Sequence, residues 1–396
     1  MVVGLLILAF IGYQSFAPKQ ASQLTFDKIR LLTATDDKEF DASYSPDGQY
    51  IVLHRYLDKQ CGNKIWAKNI NTQQEIQLTK DWGAYGPHSF SKDGKKMVFL
   101  ETEACSQPVT QKNCYELMSI DFEKAIESPQ QPNVILQCQN SQVKSPTWLN
   151  NGNIALLQKK SESWNLISYS VEQNLSADLY DQKDGNLLSY AYSVEEDLFA
   201  VISIHDDAQH YIEMFKPDGP ILSSHVIKRP QEIAKFRTIF PSFDPLNKQL
   251  VFSTGSQLFT LSYEGIINKI SLPFADKMVQ PKFHPDGTRV LLIKGPYDSD
   301  IVLTPRHDTA ALNPPYSSFE RSTLGEDYAI FQPGGDLIAF WSQRSGEHQL
   351  WLSGSNGPRQ LTDFPMDTYI NGIDWAKDGK SLLINANGEL HQVFLD

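Results

Sequence analysis

Few residues in this 396-residue chain have the types and spacing that chemistry needs. "HDDAQH", residues 205–210, sets two imidazoles and two carboxylates in one short stretch, the makings of a metal site or an acid–base pair. A solvated hairpin loop has the same composition, and that is the plainer reading. "DSD", residues 298–300, stands the same way. His88 and His284 fall in strand-like segments, where a hydrogen-bonded structural histidine is expected rather than a ligand. No G-x-S-x-G elbow, H-E-x-x-H pair or G-x-x-x-x-G-K phosphate loop occurs. No catalytic residue, cofactor or metal ligand is assigned, and the chain reads as a non-enzyme.

Composition limits the partners. With 41% hydrophobic and 21% charged residues the chain is that of a folded protein, and its net charge of -12 argues against a phosphate-binding face. Solubility accounts for that acidity. Residues 2–13, "VVGLLILAFIGY", carry no charge but fall short of the roughly 20 residues that span a bilayer. No Lys or Arg precedes them, as a secretory leader requires. The expectation is a partial transmembrane helix or signal-anchor over 1–17. It would tether a body at 22–396 outside the cytoplasm, in a periplasm, to the inner membrane.

The elements that must position any site come from a repeated phrase. An aromatic residue, a turn and an apolar strand recur at Tyr44, Phe90, Trp148, Tyr192, Phe243, Phe283, Phe331 and Trp375, 40 to 58 residues apart. This is the period of four-stranded propeller blades. Gly48, Gly94, Gly152, Gly287, Gly335 and Gly379 occupy the place where the turn needs a positive φ, and Glu196 and Asn247 replace them in the degenerate copies. Third strands follow, such as "KIWAKNI" (64–70) and "QLWLSGS" (349–355), then outer strands such as "EIQLT" (75–79) and "PRQLT" (358–362). The chain stops at a third strand, "ELHQVFLD", and "DKIRLLT" (27–33) offers the missing fourth. The expected fold is all-β, an eight-bladed β-propeller of four-stranded antiparallel blades closed by an N-terminal strand. The eight aromatics, repeating at one position, are expected to pack between blades.

These phrases resemble the PD40 repeats of TolB-like, WD40-like propellers over residues 27–396. The resemblance implies the fold and leaves function open. TolB itself has six blades and an α/β domain ahead of the ring. A membrane segment followed directly by a ring is similar instead to the extracytoplasmic half of CadC-like transcriptional regulators, whose winged-helix half precedes the membrane. That resemblance implies a sensory role in transcriptional regulation, with the nucleic acid bound elsewhere.

In such a ring the second-to-third and fourth-to-first connections share one face. Cys61, Cys105, Cys114 and Cys138 fall on it, with none of the C-x-x-C spacing of a zinc site. Cys114 starts a third strand and Cys138 ends the neighbouring outer strand, so Cys114–Cys138 and Cys61–Cys105 disulfides are expected, with unpaired thiols the alternative. Arg55, Tyr56, Trp82, Tyr85, Arg237 and Tyr369 lie on the same face without repeating, and offer the aromatic and guanidinium anchors enriched in binding hot spots. The expected function is binding of a protein or small ligand there. A propeller hydrolase or lyase working in the central channel, or an envelope scaffold, is the alternative.

Overall fold

Each phrase folds for a local reason, seen most clearly at "SYSPDGQY". Ser45 Oγ donates to Asp47, Asp47 accepts the Gln49 amide, and the Gly48 amide closes the turn on the Ser45 carbonyl at 2.8 Å. Gly48 has φ +69°, which a side chain would strain. Ser91 and Asp93 repeat the same bonds around Gly94. Two departures refine the sequence reading: the positive φ belongs to Gly334 rather than Gly335, and to Asp197 rather than Glu196. Asn247 needs none, because its amide and side chain both bond Asp244.

The computed structural model describes residues 24–395, except 27, 34, 36–37, 58–61, 103–114, 138–141, 162, 181–183, 236, 256, 273–277, 295–300, 304–316, 320–321, 323–324, 356, 366–367 and 369. The four cysteines, Tyr369, "DSD" and the hydrophobic segment 1–17 lie outside these residues. Among the described residues no helix is long and apolar enough to cross a membrane. All eight phrases form antiparallel strand pairs. Blades 1 to 5 and blade 7 are four-stranded sheets, blade 6 is described as two strand pairs, and blade 8 has three strands.

Alternation along the second strand of each blade decides which neighbour it meets. In blade 1, Val52 packs with Met97 and Phe99 of blade 2, while Ile51 and Leu53 point the other way. Val98 and Leu100 then meet Leu156 of blade 3, Leu157 meets Phe199 and Val201 of blade 4, and Ile202 meets Leu250 and Phe252 of blade 5. Val251 shares a core with Phe283 and Leu292 of blade 6. Blade 6 returns to blade 1: Leu291 and Ile293 pack with Ile51 and Leu53.

The ring therefore closes after six blades, which corrects the expectation of eight. Blades 7 and 8 share a separate core around Trp341, Leu350, Leu382 and Ile384. The expected closure by residues 27–33 is corrected as well. Residues 28–33 are in no strand, Thr25 pairs with Ser271 at the rim of blade 5, and Leu24, Phe26 and Leu32 enter the cores flanking blade 6. Likeness to an outer strand records local strand preference, but the apolar faces of Leu24, Phe26 and Leu32 select the partner.

The closing seam gives a direct test. A Cβ on Gly48 would lie 2.3 Å from His284 Nε2 of blade 6, whereas one on Gly152, at φ +84°, would meet nothing within 4 Å. Gly152→Ala is expected to cost about 1–2 kcal/mol from backbone strain alone, and Gly48→Ala at least twice that, measured by urea unfolding. Equal losses would show that the seam does not form.

Candidate functional site at the central channel

The inner strands of the six blades line the channel, and a proline lies in three of them and just ahead of a fourth. Pro87, Pro146, Pro241 and Pro281 stand two or three residues before the anchor aromatic, where a missing amide favours a bulge over a regular ladder. Pairing slips between Phe40 and Ser43, Tyr85 and His88, Leu187 and Ser189, and Val279 and Lys282. Asp41, Ser145 and Gln280 hold φ of 49°, 55° and 54° at equivalent places, a conformation uncommon outside glycine. Such bulges re-aim side chains.

In blades 1 to 3 the residue just before the anchor then reaches the next blade. Ser43 Oγ and His88 Nε2 are 2.6 Å apart, the Trp148 amide donates to Ser89 Oγ at 3.0 Å, and the Tyr190 hydroxyl donates to Thr147 Oγ1 at 3.0 Å. At the closing seam Gln280 and Asp41 exchange two hydrogen bonds of 2.9 and 3.0 Å, and Tyr44 meets the His284 ring edge-on at 4.8 Å. Behind His88 lies His54, stacked on it with Nε2 3.1 Å from His88 Nδ1. Burial lowers the pKa of both imidazoles, and the nearby charges of His54 and Lys282 push His88 down further. Both are neutral at pH 7.

Two lysines stand apart from this pattern. Lys144 of blade 3 lies over the Trp164 ring at 3.9 Å, and burial lowers its pKa. Lys282 of blade 6 is surrounded by protein yet solvent-exposed, as a channel wall is, and burial lowers its pKa against the field of Asp41.

The six residues expected on the loop face separate. Arg55 is a correction: it is buried in the second strand of blade 1, bonded to Glu39 at 2.8 Å and Glu75 at 2.7 Å and lying over Trp66. Tyr85 is another, at 3% exposure in the core against Phe99. Strand ends are hard to locate in a sequence, and Tyr85 sits one residue and Arg55 two residues inside a strand end. Tyr56 and Arg237 are half-buried, the latter with its carbonyl accepting from Arg229 at 2.8 Å. Trp82 is exposed, with Lys64 Nζ 5.0 Å from its ring centroid.

"HDDAQH" is the tip of a hairpin. Asp207 accepts from the Gln209 amide and the Tyr211 hydroxyl, and His205 stacks on Tyr211. Among the described residues no three His, Cys, Asp or Glu side chains are placed to hold a metal. His284 is structural, 3.1 Å from the Gly48 carbonyl. Lys282, Lys144 and His54 were missed. Lys282 was within reach of the repeat comparison, being the one charged residue at the place before the anchor in blades 1 to 6.

No protein-family model matches the chain, and no curated protein matches it. Among solved structures, a putative TolB from Agrobacterium tumefaciens is similar at 14% identity and TM-score 0.50, over 68% of this chain and 95% of its own. TolB from Acinetobacter baumannii is similar at 15% identity and TM-score 0.45, over 59% of this chain and just over half, 54%, of its own. An oligogalacturonate lyase from Vibrio parahaemolyticus follows at 15% identity and TM-score 0.46, over 66% and 75%. The fold is that of a TolB-like β-propeller.

Two expectations come from the site. Tyr85→Ala is expected to cost about 3–5 kcal/mol, as for a core aromatic, and Trp82→Ala to stay within about 0.5 kcal/mol, by urea unfolding. Comparable losses would overturn the burial assignment. The second concerns pH. Burial, with the charge of Arg229, lowers the His210 pKa to about 4, and His54 and His88 are lowered too. Below about pH 6.5 the unfolded chain takes up protons that the fold refuses. Stability is therefore expected to hold above that pH and fall from pH 6.5 towards 4. His210→Asn should flatten the slope, and an unchanged slope would exclude His210 as a source.

Proposed function

We propose that this chain acts by recognition rather than by catalysis, binding a protein or small ligand at the channel mouth and the loops around it. The observation that carries the reading is the set of bulges at Asp41, Ser145 and Gln280, which turn polar residues of separate blades toward one channel. Trp82, exposed and flanked by Lys64, supplies a rim anchor of the kind enriched in hot spots. The finer proposal sets the propeller outside the cytoplasm, in a periplasm and held to the inner membrane by the segment at 1–17. There it would serve as the sensory half of a regulator. The TolB-like fold is compatible with that placement and supplies no more than the fold.

One observation favours an enzyme: the Ser43, His88, His54 chain has the order of a nucleophile, a base and its support. The same contact recurs as Ser89 to Trp148 and Thr147 to Tyr190, so ring cohesion accounts for it without chemistry. Both imidazoles are also shifted down, which makes them weak bases.

Capture of envelope proteins by wild type and by Trp82→Ala tests recognition. The expected result is loss of the same partners in the variant, by about thirtyfold in affinity for a hot spot worth about 2 kcal/mol. Equal capture would remove Trp82 from the interface. A fluorophosphonate probe decides the enzyme reading: no labelling is expected, and labelling of Ser43 that is lost in His88→Ala would overturn the proposal. For the regulator, a winged helix encoded in frame ahead of Met1 is expected, and a stop codon there would refute it.

A further inference from the structure

The place before the anchor is occupied in blades 1 to 5 by Ser43, Ser89, Thr147, Ala191 and Ser242, all small, and three of them bond the next blade. In blade 6 the same place holds Lys282. A hydroxyl there spans the seam between blades, whereas a four-carbon stem carries its ammonium past the seam into the channel. The side chain is enclosed by protein and still exposed to solvent, and it makes no ion pair or hydrogen bond with any described residue. Partial desolvation disfavours the charged form, and an anion bound beside it would offset that cost.

The channel offers little to pair it from within. The inner strands of blades 1 to 6 contain two acids, Glu39 and Asp41. Glu39 is taken by Arg55 at 2.8 Å, and Asp41 exchanges its bonds with Gln280. Asp41 acts on Lys282 through its field, which the desolvation of the ammonium exceeds. Across the ring, in blade 3, Lys144 rests on the Trp164 ring, again without a carboxylate. A chain of net charge -12 thus presents at Lys282, on its channel wall, an ammonium with no ion pair among the described residues. Low-dielectric walls focus such a field. Hydroxyl and imidazole groups of Ser43 and His88 lie on the two blades that follow Lys282 around the ring.

We propose that Lys282 is the anchor of a site for a small oxyanion, a carboxylate or phosphate group, bound in the channel beside His88. The inference rests on the recognition reading and names the chemistry of its ligand. The ammonium is a compact point charge with rotatable donors, so it selects charge rather than the planar shape that an arginine fork would read.

Lysine side chains carrying [13C]methyl groups let the site be observed directly in the intact chain by NMR, with the Lys282 signal assigned by its loss in Lys282→Met. Inorganic phosphate and acetate are titrated separately against chloride at matched ionic strength, which controls for screening. The expected result is a saturable shift of the Lys282 signal with phosphate or with acetate and not with chloride, and a rise in its titration midpoint with the bound anion. Whichever salt acts identifies the source of the charge. Lys282→Met should lower that anion's affinity at least tenfold, read by isothermal titration calorimetry, while its melting temperature stays equal or rises. Shifts alike in all three salts, or an affinity unchanged in Lys282→Met, would overturn the site. If partner capture still depends on Trp82 while no anion acts at Lys282, the inference fails and the recognition reading stands.

Discussion

Everything in this ring hangs on the seam where blade 6 meets blade 1. Each sheet is buried on both faces only if its neighbours are in place, so an open ring would leave two apolar faces in water. The seam is made by an apolar layer, Leu291 and Ile293 against Ile51 and Leu53, and by a polar one, Asp41 with Gln280 and His284 with the Gly48 carbonyl. The first supplies the burial. The second fixes the register, because the Gln280 side-chain amide accepts from the Asp41 backbone amide and donates to the Asp41 carboxylate, a pairing that tolerates little slip. The seam between blades 3 and 4 is polar too: Tyr190 donates to Thr147, and Asn150 donates to the Tyr192 hydroxyl and the Val194 carbonyl.

The channel chemistry follows from the same strands. A regular ladder would alternate inner-strand side chains between two sheet faces, and a bulge breaks that alternation in five of the six blades. The prolines make the bulge cheap, since they have no amide to lose. The polar groups of the channel are thus a by-product of how the blades meet, and the difference between a seam and a site is one side chain. Ser43 and Lys282 occupy the same repeat position. The short one bridges and the long one projects.

Much of this was legible in the sequence, and the limits are physical. The turns were legible because Ser-Pro-Asp-Gly fixes its own conformation through bonds within six residues, and the apolar runs beside them could only be strands. The ring size was not, because it depends on which apolar face finds which. Nothing local in "KIRLLT" says whether Leu32 will lie against blade 8 or against Leu291. Arg55 and Tyr85 were misread for another reason. Amphipathic side chains at strand ends look the same on paper whether they point to solvent or to a core, and Glu39, Glu75 and Phe99 decide the matter from distant positions. Lys282 shows the reverse. A comparison of repeat positions alone would have found it.

The N-terminal stretch gives the ring an asymmetry of load. Leu24 and Phe26 enter the core between blades 5 and 6, Thr25 pairs with Ser271, and Leu32 enters the core between blades 6 and 1 before the first strand begins. The chain thus crosses the closing blade like a strap over a clasp. Tension applied on the N-terminal side of Leu24 would be carried by this strap and the blade beneath it before it reached blades 2 to 4, so traction would be felt first beside Lys282.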